Sequence, residues 1–87
     1  MPKKMYSEII GHEQMLASKI KCLRTEILEL SQIDMATMLD VTGATISYWE
    51  SDESKMKPRA RMLIRIALTF GVSIDYLFGL SDEVTLK

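Results

Sequence analysis

The chain has 87 residues, 47% of them hydrophobic, and a formal charge of −1 from 11 Lys+Arg against 12 Asp+Glu; that suits one small globular domain and leaves no room for a second core. One cysteine, Cys22, and one histidine, His12, argue against an internal disulfide framework, a Cys-rich zinc site, a His-based metal site and Ser-His-Asp chemistry. No apolar run approaches the roughly 20 residues of a membrane span, and residues 1–10 lack a signal-peptide core. The expectation is therefore a soluble cytoplasmic domain that is not an enzyme and needs neither metal nor cofactor.

Four glycines and two prolines stand near the ends of apolar-periodic segments, and no strand-type alternation competes. The chain reads as all-α, with short helices joined by short turns. Residues 1–11 read as an N-terminal arm, punctuated by Gly11. A first helix is predicted over 12–28, because Leu16, Ile20, Leu23 and Ile27 share one face. A second spans 32–39. Ser31 is its N-cap, Asp34 completes a capping-box-like start, and Ile33, Ala36, Met38 and Leu39 give it an inner side. After the short link Asp40-Val41-Thr42, in which Asp40 tolerates left-handed backbone, Thr42 caps a third helix from Gly43 to Glu50 or Ser51. A fourth starts near Pro58 with Leu63, Ile64, Ala67 and Leu68 inward, and stops at Gly71. Ser73 caps a fifth, containing Ile74, Leu77 and Phe78 and ended by Gly79. The domain then covers 12–80, and 81–87 is a tail.

The second and third helices make a helix–turn–helix shape. On a 100° wheel the third helix puts Ile46, Trp49 and Glu50 on one side and Ala44, Ser47, Tyr48 and Ser51 on the other. The second face is small and polar, with one aromatic, and fits a major groove; an ordinary amphipathic surface helix is the plainer alternative. Glu50 points with the core residues. A buried carboxylate needs a partner, and Arg24, bordering the apolar face of the first helix, is the natural one.

From Ile20 to Leu80 the chain resembles the Cro/CI-repressor-type helix-turn-helix regulators. Four stretches carry the resemblance in order: Ile20-Lys21-Cys22-Leu23-Arg24; Leu30-Ser31-Gln32-Ile33-Asp34-Met35-Ala36; Val41-Thr42-Gly43-Ala44-Thr45-Ile46-Ser47-Tyr48-Trp49-Glu50; and Pro58 with Leu63-Ile64-Arg65-Ile66-Ala67 and Phe70-Gly71-Val72-Ser73-Ile74-Asp75-Tyr76-Leu77-Phe78-Gly79. The resemblance implies a five-helix, lambda-repressor-like DNA-binding domain. It maps a phosphate contact onto Gln32, phosphate and base contacts onto Thr42, Gly43, Ala44 and Thr45, and a reader onto Tyr48. It also implies a homodimer on a two-fold operator, as in a phage or prophage repressor. Compared with the family pattern, the link around 28–30 lacks the usual glycine and is one residue longer. The loop before Pro58 is two residues longer. Gly43 and Ala44 stand where Gln, Arg or Ser is common, so Ala44 offers only a methyl, for a thymine methyl, and readout leans on Thr45, Ser47 and Tyr48.

Charge is unevenly spread: residues 31–50 hold no Lys or Arg and three acids, whereas 51–65 hold five bases against two acids. Lys55, Lys57 and Arg59, just past the third helix, are the phosphate candidates; Arg61 and Arg65 read as a solvated helix face. Tyr76, Phe78, Leu80, Val84 and Leu86 either form the dimer surface or close the monomer core. The acidic 31–50 segment keeps a second class open: an antitoxin or anti-repressor-like module on the same fold that binds a protein partner.

Overall fold

Apolar periodicity and local caps account for most of the helices in the computed structural model, which describes residues 3–85. They are α1 (Lys3–Cys22), α2 (Gln32–Leu39), α3 (Gly43–Glu50), α4 (Ala60–Phe70) and α5 (Ile74–Leu77), with a π-helical turn, Leu23–Ile27, continuing α1. The described residues form an all-helical fold whose only extended pairing is an isolated bridge between Val72 and Thr85. Ser31, Thr42 and Ser73 are the N-caps of α2, α3 and α5, and their hydroxyls accept from the backbone N–H groups of Asp34, Thr45 and Tyr76. Gly71 ends α4 in the left-handed region at φ 66, a conformation that carries no Cβ penalty in glycine. The core is built from Leu16, Ile20 and Leu23 of the first segment, Met35 and Leu39 of α2, Ile46 and Trp49 of α3, Ile66 of α4, and Tyr76 and Leu77 of α5.

Helix begins at Lys3, so the arm expected over 1–11 is helical from there on; Met1 and Pro2 lie outside the described residues. Gly11 costs helix stability without stopping α1. The helix is anchored beyond it, where His12 Nδ1 lies 2.7 Å from the Phe78 carbonyl oxygen. At its other end α1 widens into the π-helical turn. Leu28 N–H donates to Leu23 O at 2.8 Å, five residues back, and Leu30 N–H to Arg24 O at 2.9 Å. The wider turn rotates the next residues off the α-helical stripe: Ile27 is exposed, and Leu28 packs against the core in its place. Glu29 takes the left-handed conformation, φ 52, where a glycine would be unstrained.

Two apolar stripes lie differently from their predicted faces. On α2 the buried residues are Met35, Ala36 and Leu39, while Ile33 and Met38 are exposed. On α4, Ile66 and Ala67 are buried with Met62, Leu63 and Phe70 packed beside them, and Ile64 and Leu68 face outward. Apart from the polar stripe of Arg61, Arg65 and Thr69, α4 is apolar, so its apolar face is wider than the side it buries and periodicity leaves the centre of that side ambiguous. It also starts at Ala60, after an extended Arg59, because Pro58 is buried in the preceding loop and does not open the helix. Tyr76 is buried and Phe78 and Val84 pack on the core, so these residues close the monomer; Leu80 stays exposed and Leu86 lies outside the described residues. Ser73 N–H donates to Val84 O at 2.6 Å and holds the tail down. The Lys19 ammonium sits 4.8 Å from the Tyr76 ring centroid, and burial pushes the Tyr76 phenol up to about 12.

Candidate nucleic-acid interface

α2 and α3 are set against each other by a three-residue link. Asp40 caps α2 in the left-handed conformation at φ 58, Val41 N–H donates to Ala36 O at 2.9 Å, and Thr42 starts α3. Arg65 of α4 reaches across, and its Nη1 donates to Leu39 O at 3.0 Å. That satisfies a carbonyl that the end of α2 would otherwise leave open.

Behind the pair lies a polar clamp. Arg24 Nε donates to Glu50 Oε2 at 2.6 Å and Nη2 to Glu50 Oε1 at 2.9 Å, with the two side chains 11% and 5% exposed. The third guanidinium nitrogen, Nη1, donates to Leu30 O at 2.9 Å. The bidentate fork ties the end of α3 to the π-helical turn. The hydrogen bond to Glu50 raises Arg24 above its ordinary value, and burial opposes it. Gln32 Nε2 donates to the same Glu50 Oε1 at 3.2 Å. The Gln32 side chain, expected at a phosphate, thus faces inward and completes the carboxylate's shell; what the start of α2 can offer outward there is backbone N–H.

In front of the clamp α3 shows the separation of faces expected from the wheel. Ile46 and Trp49 are buried, whereas Ala44, Ser47 and Tyr48 are exposed. Thr45 is half-buried, and its hydroxyl lies 3.0 Å from that of Thr42. A Cβ added at Gly43 would meet Ile33 Cγ1 at 3.5 Å, an ordinary contact. Neither space nor backbone angle therefore demands a glycine at this position.

The basic candidates after α3 divide. Lys55 and Arg59 are exposed. Lys57 is half-buried; its ammonium donates to Ser51 O at 2.5 Å and Trp49 O at 3.3 Å, closing the C-terminus of α3. Ile33, expected on the inner side of α2, stands instead on the surface. The carbonyl role of Arg65 has no local signal, since its acceptor lies 26 residues away, and that of Lys57 depends on the loop folding back by six and eight residues.

Among the described residues no group of three or more His, Cys, Asp and Glu side chains could hold a metal ion, and no helix is long and apolar enough to cross a membrane. No curated protein and no solved structure matches the chain. The profile of a helix-turn-helix domain family matches residues 17–83, which takes in α2, α3, the clamp and both closing helices. The chain therefore belongs to the helix-turn-helix domain family, and that membership points to DNA-binding transcription regulation.

Proposed function

We propose that this chain is a sequence-specific regulator of the Cro/CI-repressor type, similar to phage and prophage repressors, that binds a two-fold operator as a dimer. One observation carries the reading: α3 is held from behind by Ile46 and Trp49, 0% and 3% exposed, and turns Ala44, Ser47 and a 51% exposed Tyr48 outward. An eight-residue helix fixed in this way can lie in a major groove, with its hydroxyls and ring toward base edges. Phosphate contacts fall to backbone N–H groups at Gln32, Thr42 and Gly43 and to Lys55 and Arg59. Lys57 acts from behind, by holding the end of α3. Such a role places the chain in the cytoplasm, with the DNA.

The test is a duplex obtained by in vitro selection, titrated beside a scrambled duplex over a range of salt. Affinity is expected to fall as salt rises. Tyr48→Ala should weaken the selected duplex by about 1–3 kcal/mol with little change on the scrambled one and an unchanged melting temperature. Binding that ignores both salt and sequence overturns the proposal. For the dimer, Ile64 and Leu68 form an exposed apolar pair one turn apart on α4; Leu68→Glu should shift the sedimenting species from dimer to monomer.

A second reading, a module that binds a protein partner such as a toxin or an anti-repressor, is favoured by a different observation. Residues 31–50 carry three acids and no base, and Ile33 and Met38 are 71% and 51% exposed there. It predicts no salt-dependent association with any duplex.

A further inference from the structure

We infer that this chain selects its DNA through thymine methyl groups, with Ile33 of α2 reading beside Ala44 of α3. This builds on the DNA-binding role proposed above and names what the same face prefers.

Guanine is read best by a bidentate Arg or Lys, and adenine by a bidentate Asn or Gln. Residues 31–50 contain no Arg or Lys, and the whole chain contains no Asn. The one amide side chain on these helices, Gln32, is bonded to Glu50. The Thr45 hydroxyl is beside that of Thr42. On the outer face of α3 the hydroxyls of Ser47 and Tyr48 remain, and at its first turn two exposed apolar residues, Ala44 and Ile33 of α2.

Ile33 is placed for such a role. It is 71% exposed, among the most exposed large apolar side chains described, so the core does not account for it. Its Cγ1 lies 3.5 Å from the point where Gly43 would carry a Cβ. The branched side chain therefore stands alongside the first turn of α3 at Gly43, the residue before Ala44. In a helix-turn-helix complex that first turn is the part that reaches base edges. The apolar group that an unmodified base pair offers in the major groove is the thymine C5 methyl.

Uracil isolates this contact, because it keeps every hydrogen-bonding group of thymine and lacks only the methyl. In the selected duplex each thymine is replaced by uracil in turn, and affinity is measured for the full chain and for Ile33→Ser. The expected result is a loss of about fourfold at one or two positions, the worth of one buried methyl. Ile33→Ser should lose that sensitivity at one of them while its melting temperature stays unchanged. A duplex with uracil throughout that binds as tightly as the thymine duplex overturns the inference, as does full uracil sensitivity in Ile33→Ser. Failure to bind any duplex at low salt is a separate outcome: it overturns the DNA-binding role itself, and this inference with it.

Discussion

The two links that flank α2 solve the same problem with different residues. Each turns the chain through a left-handed residue that is not glycine, Glu29 at φ 52 in the first and Asp40 at φ 58 in the second. Each is tied by an arginine to a carbonyl: Arg24 to Leu30 O, and Arg65 to Leu39 O. The second link is closed mostly from within, with Arg65 adding one distant bond. Asp is among the residues that enter the left-handed region with least penalty, and Asp40 and Val41 N–H groups close the end of α2 from within. The first link is not. Its residue is a Glu, its helix has widened to a π turn, and its arginine is shared with a nearly buried carboxylate on α3. The order of the first link therefore depends on a contact 26 residues away in sequence, whereas that of the second is mostly local.

Breaking the distant contact is the severest test of that difference. Arg24→Ala strands Glu50 and releases Leu30 O, and is expected to cost about 3–5 kcal/mol in urea unfolding. Lys19→Ala, which loses only its place over the Tyr76 ring, should cost about 0.5–1 kcal/mol. Equal urea midpoints for the two variants would remove the clamp from the account. On the second link the matching change, Arg65→Ala, loses a single hydrogen bond to Leu39 O and should cost about 1 kcal/mol; a loss as large as that of Arg24→Ala would show that both links depend on distant contacts.

Two further changes act on the left-handed residues themselves. Glu29→Gly removes the penalty of a Cβ in that conformation and should raise stability by about 1 kcal/mol, read as a higher urea midpoint with the same slope. Asp40→Gly should leave the midpoint within about 0.5 kcal/mol of the parent, because Asp is already tolerated there and glycine loses more entropy on folding. A larger gain at Asp40 than at Glu29 would reverse the contrast between the links.

How much was legible in the chain follows the same division. α2 coincides with its predicted span and α3 with the shorter of its two, ending at Glu50 and not Ser51, since Ser31, Thr42 and Asp40 state their ends through bonds to residues a turn away. The opposed faces of α3 follow from its own periodicity, and so does the inward side of Glu50. By contrast, the outward turn of Ile33, Ile64 and Leu68 could not be read, because α2 and α4 carry more apolar residues than they bury. Nor could the occupation of Gln32 and Lys57, expected at phosphates. Their polar ends satisfy a carboxylate and two carbonyls that only the folded chain brings near.

The amino-acid sequence by itself determined the all-helical class, the caps and limits of α2 and α3, and the small polar outer face of α3. These depend on bonds and periodicities that close within a turn or two of helix. Only the tertiary structure decided where α1 begins, that its end widens into a π turn, which side of α4 is buried and which cations stay free beside α3. These are competitions between near-equal local options, settled by contacts beyond a helical turn: Phe78 for His12 and Glu50 for Arg24, both far along the chain, and Trp49 and Ser51, eight and six residues back across the loop, for Lys57.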